Sequence, residues 1–149
     1  MISKSCKYAI RATVFIASKA RQDVKLGMKE IAAEIEAPAP FTAKILQMLN
    51  KNRIITSLKG PYGGFYCEQD QLDLSVLEIV NAVDGLAVFR ECIMGLHICS
   101  DEHPCPLHHK YAANRDNLLK TFEETSIRSL AEDLSKGFAF INNPGYEGI

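Results

Sequence analysis

The hydrophobic period changes twice between Met28 and Cys67, and that change limits the folds open to the chain more than any other feature. Met28, Ile31, Ala32 and Ile35 recur at i, i+3, i+4 and i+7, the spacing of one helix face, and the pattern stops before "APAP". Pro38 and Pro40 disfavour continuation of that helix, whereas Pro40 suits the start of the next, where its missing N–H is no loss. Phe41, Ile45, Met48 and Leu49 mark a second stripe that ends near Asn52. Two β-branched or aromatic runs follow, "IITSL" and "GFYCE", separated by the turn residues "KGPYGG". Helix, tight break, helix and hairpin in that order predict a winged helix-turn-helix.

The remaining segments extend this unit. Tyr8, Ala12, Phe15 and Ile16 place a helix over residues 3–20, and Val76, Leu77, Val80 and Val83 place another that closes at Asp84-Gly85. After an irregular cysteine-rich stretch, Leu119, Phe122, Ile127, Leu130 and Leu134 form the apolar stripe of one long helix. A stripe that long after a compact unit calls for a surface outside it, and a second copy of the chain is the obvious one. The expected fold class is therefore mainly α with a small β-wing: a winged helix-turn-helix plus a long C-terminal dimerisation helix. The expected parts are a DNA-binding domain (1–85), a cysteine-rich loop (86–113), the dimerisation helix (114–134) and a tail (135–149). At 149 residues and 47% hydrophobic, the chain has material for one domain with an extension. Arg11 and Lys19 interrupt the apolar start, so it reads as a helix and not as a secretory signal. No apolar run approaches the roughly 20 residues of a membrane span, so no membrane partner is expected. Five cysteines without an export signal point to the reducing cytoplasm.

The net charge of −1 conceals an asymmetry. Residues 1–66 hold eleven Lys or Arg against four Asp or Glu, +7, and the remainder holds six against fourteen, −8. A basic first half suits a polyanion, here duplex DNA. Thr42, Lys44 and Gln47, near the start of the second helix of the motif, are the polar side chains available to base edges. Lys4, Lys7, Arg11, Lys51, Arg53 and Lys59 are expected phosphate contacts, and Tyr62 is expected at the wing tip.

Between residues 91 and 111, "ECIMGLHICSDEHPCPLHHKY" gathers three cysteines and all four histidines. Cys92, Cys99 and Cys105 lack the short C-x-x-C chelate common in zinc sites, and wider loops suit a larger object such as an iron–sulfur cluster. A cluster-free thiol switch through disulfide or sulfenate chemistry remains open. Cys67 reads as core. No nucleophile signature, phosphate loop or dinucleotide fingerprint is present, so neither an enzyme nor a small-molecule substrate is expected.

"MISKSCKYAIRATVFIA", "MKEIAAEI", "FTAKILQMLNKNRIITSLKGPYGGF", "LSVLEIVNAVDG" and the spaced cysteines resemble the Rrf2 family of bacterial transcription regulators over residues 1–134. The resemblance implies a homodimer held by the C-terminal helix, operator binding through two winged heads, and regulation by a cluster in the cysteine loop that senses redox, nitric oxide or iron–sulfur status. It implies His108 as the fourth ligand beside Cys92, Cys99 and Cys105, with His97, His103 and His109 as neighbours able to substitute. Cys6, beside Lys7 where some members carry an acidic ligand, is an outside candidate. A metabolite-responsive or thiol-switch regulator of the same family is the alternative. The wing departs from the family's usual Arg-Gly-Pro-Gly-Gly-Gly, with Lys59 and Tyr62 at its first and fourth places.

Overall fold

The structure, a computed structural model, describes residues 1–143. Helix α1 (Lys4–Ser18) begins where Ser3 caps it, the Ser3 hydroxyl accepting from the Cys6 N–H at 3.0 Å. Ser3 also donates its backbone N–H (2.7 Å) and its hydroxyl (2.5 Å) to the two carboxylate oxygens of Asp84. Asp84 follows α4 (Val76–Val83), so the start of α1 is tied to the end of α4.

Helices α2 (Met28–Glu34) and α3 (Ala39–Lys51) are the two halves of the helix-turn-helix. The chain reverses between them through Glu36, left-handed at φ 54°, and Pro40 sits in the first turn of α3. Ile31 and Ile35 from α2, Leu46 and Leu49 from α3, and Ile16 from α1 are fully buried in one core. Strands β1 (Thr56–Leu58) and β2 (Gly64–Tyr66) form the antiparallel wing, with Thr56 opposite Tyr66 and Leu58 opposite Gly64. Leu26 and Phe65 exchange backbone hydrogen bonds of 2.9 and 2.8 Å, anchoring the wing to the segment before α2. Two glycines permit this geometry. A Cβ on Gly63 would lie 2.0 Å from the Leu58 carbonyl oxygen, and one on Gly64, at φ 149°, would lie 2.8 Å from that of Leu26.

The C-terminal third corrects two expectations. Helix α5 (His108–Glu124) begins inside the stretch expected to be loop, so residues 108–113 are helical. The single helix expected over 114–134 is two, because Thr125 and Ser126 are extended (ψ 115° and 151°) and α6 (Ile127–Ser135) starts afresh. The Ser126 hydroxyl caps it by accepting from the Ser129 N–H at 3.1 Å. The extended pair also docks beside Leu74 and Ser75: Val76 N–H donates to Thr125 and Ile127 N–H to Leu74, both at 2.9 Å. Ile127 then enters the main core fully buried, worth about 1.5–3 kcal/mol. These gains outweigh a continuous helix through Thr-Ser. The stripe is consequently divided. Leu119 and Phe122 pack beside Phe89, whereas Ile127 and Ala131 join the core built on α1. The winged head thus includes α6. Of the tail, Ile141 accepts from Arg11 Nε at 2.6 Å and the Asn142 amide donates to the Glu34 carbonyl at 3.1 Å; residues 144–149 lie outside the described residues.

Candidate DNA interface and cysteine site

Lys44 and Gln47 stand exposed on α3, Lys51 and Arg53 at its C-terminal end, and Lys59 on the wing. Tyr62 is 91% exposed at the tip between the strands. Thr42 does not share this surface. It is fully buried, and its hydroxyl donates to the Pro38 carbonyl at 3.0 Å, which satisfies the donor inside the helix start and removes it from base reading. Lys4 and Lys7 are exposed on α1. Arg11 is half-buried, with its guanidinium 5.5 Å from the Tyr8 ring centre and its Nε held by Ile141.

Gln71 carries no sequence signal, yet it holds this surface together. Buried between the wing and the end of α3, it donates to the Arg53 carbonyl (3.0 Å) and accepts from the Thr56 hydroxyl (3.0 Å) and the Glu68 N–H (2.9 Å). One amide therefore ties β1 and the segment just after β2 to the end of the helix.

All five cysteines are free thiols. Cys92 and Cys105 are buried, and Cys99 Sγ lies 3.2 Å from Nδ1 of the buried His108. The His108 N–H donates to the Cys105 carbonyl at 2.9 Å at the start of α5, which keeps these two residues adjacent at that helix's first turn. The backbone N–H groups of Leu96 and Met94 point at the Cys92 sulfur, with smaller help from Cys105 and Gly95, and hold its thiol below the ordinary range despite burial. Asp101 Oδ1 stands 2.7 Å from His108 Nε2 and fixes the ring, leaving Nδ1 toward Cys99. His109 packs edge-on to His108 at 5.0 Å, and Asp101, His108 and His109 bring one donor atom each within 4.8 Å of one another. His97 and His103 are exposed. Cys6 is fully buried beside Val80 and Phe89. Burial, aided by Asp84, pushes its thiol up to about 12, and burial does the same to Cys67. Asp101, which orients His108, and Arg115, whose pKa the Cys99 side chain raises, belong to the site without having been legible as part of it.

A helix-turn-helix with a basic face and a glycine-built wing defines a winged-helix transcriptional regulator. The pattern of the Rrf2 family, described as an iron-dependent transcriptional regulator, matches residues 2–133, and the chain belongs to that family. It is thus a regulator and not an enzyme. The chain is 32% identical over 126 residues to an rrf2-like HTH-type transcriptional regulator of Rhodobacter capsulatus, covering 83% of this chain and 80% of that one. It is 29% identical over 132 residues to an HTH-type transcriptional regulator of Aquifex aeolicus, covering 87% and 90%. Its fold matches CymR, the global cysteine regulator of B. subtilis, with a TM-score of 0.69 at 19% identity, over 92% of this chain and 97% of that one. Among the described residues, no helix is long and apolar enough to cross a membrane.

Proposed function

We propose that this regulator binds operator DNA in the cytoplasm as a homodimer, and that an iron–sulfur cluster held by Cys92, Cys99, Cys105 and His108 sets its affinity in response to redox, nitric oxide or iron–sulfur status. The pairing of Cys99 Sγ with an oriented His108 imidazole, in a loop that also carries Cys92 and Cys105, supports this reading, since soft thiolates with one nitrogen donor are the ligand chemistry of such clusters. The fit is supported by Arg115, a half-buried cation beside Cys99 where anionic ligands would gather. When bound, the cluster would supply a reversible one-electron and ligand-exchange chemistry. The chain's own residues do the rest. Met94, Gly95 and Leu96 stabilise the Cys92 thiolate, Asp101 orients His108, and Phe89 against Phe122, 6.0 Å apart and edge-on, joins the loop's first arm to α5. Ile93, Met94, Leu96, Ile98, Leu107 and Leu118 are exposed along the loop and α5, an apolar surface that suits a second copy.

On the DNA side, Lys44 and Gln47 read bases while Lys4, Lys7, Lys51, Arg53 and Lys59 contact phosphates and Tyr62 enters from the wing. Arg11 joins them once Ile141 releases it. Anaerobic purification with visible absorption and iron and sulfide assay tests the cluster; colourless, metal-free protein after reconstitution rejects it. Duplex affinity measured across salt concentrations tests the interface. It falls steeply in the wild type, and Arg53→Ala with Lys59→Ala lowers the log–log slope by about 2; a salt-independent affinity rejects the interface.

The Cys105 side chain helps hold the Cys92 thiol below its ordinary range, and that neighbourhood favours a second reading, a cluster-free thiol switch. A peroxide would oxidise one thiolate to a sulfenate, and the other sulfur would displace hydroxide to form a disulfide. Thiol counting after peroxide treatment of metal-free protein distinguishes it.

A further inference from the structure

Arg115 lies on α5 and neighbours both arms of the cysteine loop. Its side chain is only 13% exposed. One Nη donates to the carbonyl of Glu91, the residue before Cys92, at 3.4 Å, and the neighbouring Cys99 side chain raises the guanidinium's pKa. Its Nε is the one buried side-chain nitrogen or oxygen among the described residues with no hydrogen-bond partner. The nearest carboxylate oxygen, of Asp116, stands 3.6 Å away, outside hydrogen-bond reach. A buried donor on a charged group is expensive to leave without a hydrogen bond, so this nitrogen calls for an explanation beyond its ion pair with Asp116. The fork of a guanidinium can hold two partners and keep a third direction free, which a lysine cannot.

We propose that Arg115 is a positioning residue of the cysteine site, clamping the Glu91 and Cys99 arms onto α5 and supplying the positive charge that offsets the thiolates gathered there. The charge role rests on the cluster reading above, whereas the clamp does not. With a cluster bound, the cation would favour its reduced form, so losing the cation would lower the midpoint potential.

Full-length wild type, Arg115→Lys and Arg115→Gln separate the two roles. In metal-free protein, hydrogen exchange over residues 91–105 reads the clamp, and both variants should exchange roughly tenfold faster, equivalent to about 1.4 kcal/mol of local stability. In reconstituted protein, a dithionite-mediated redox titration followed by visible absorption reads the charge. Arg115→Gln should shift the midpoint to lower potential, and Arg115→Lys should stay near wild type. Unchanged exchange in both variants overturns the clamp. An Arg115→Gln midpoint equal to wild type overturns the charge role. Wild type that takes up no cluster defeats the cluster reading and the charge role together, while exchange still decides the clamp. Should Arg115→Gln fail to fold by circular dichroism, Arg115→Lys carries the exchange test, and a wild-type rate in it overturns the clamp.

Discussion

Two of the five thiols are chemically silent in the folded chain. Burial pushes Cys6, helped by Asp84, and Cys67 up to about 12, so iodoacetamide at pH 8 should label the partly exposed Cys99 of metal-free protein and spare these two until the chain unfolds. Labelling of Cys67 at the rate of an unfolded thiol, read by mass spectrometry, would contradict the packing. The same burial has a pH signature. Between the ordinary thiol value of 9.0 and about 12 the folded state keeps protons that the unfolded state has lost. The stability it contributes is complete below the lower value and disappears toward the upper one. Cys67→Ala should flatten that decline in urea titrations run across the window. A reading of residue types alone could not separate silent from reactive thiols, nor exclude Thr42 from the DNA surface. Thr42, Gln71 and Arg115 are polar, and polarity suggests solvent; only their partners, the Pro38, Arg53 and Glu91 carbonyls, explain why each is turned inward.

At the scale of elements, the hydrophobic period located α1 to α4 and the wing because each has its own face to bury. It failed at Thr125-Ser126, where the periodic stripe runs on although the backbone does not. Helical spacing reports which residues seek burial, but two helices with different partners leave the same trace as one. The break makes α6 part of the head. Ser126→Ala should therefore cost about 1 kcal/mol through loss of the cap, and Ile127→Ala about 2–5 kcal/mol through a cavity in the main core. If α6 contributed nothing to the head, urea midpoints would not move. The wing obeys a different constraint, the close approach of backbone to backbone. Gly63→Ala places a carbon 2.0 Å from the Leu58 oxygen, so duplex binding should weaken by about tenfold or more while the helical circular dichroism persists.

Across the whole molecule, the cysteine loop and the DNA-binding head meet in one small apolar cluster. Cys6 of α1, Val80 of α4, Phe89 at the loop's first arm and Phe122 of α5 pack there, and the Ser3–Asp84 tie closes the same corner. A change at the loop can reach α1 only through such contacts. Phe122→Ala should lower stability by about 2–3 kcal/mol and, if the cluster carries the coupling, make duplex affinity the same with and without iron. A mutant whose affinity still responds fully to iron would place the coupling elsewhere. The sequence by itself determined the winged helix-turn-helix, its basic half and the loop that gathers thiols, because periodicity, turn chemistry and charge are local properties written in neighbouring residues. Tertiary structure alone decided that α6 returns to α1, that Gln71 braces the wing and that Arg115 faces Cys99. Each of those joins residues far apart in the chain, and which polar group meets which is set by where the packed helices bring them, a quantity no local pattern contains.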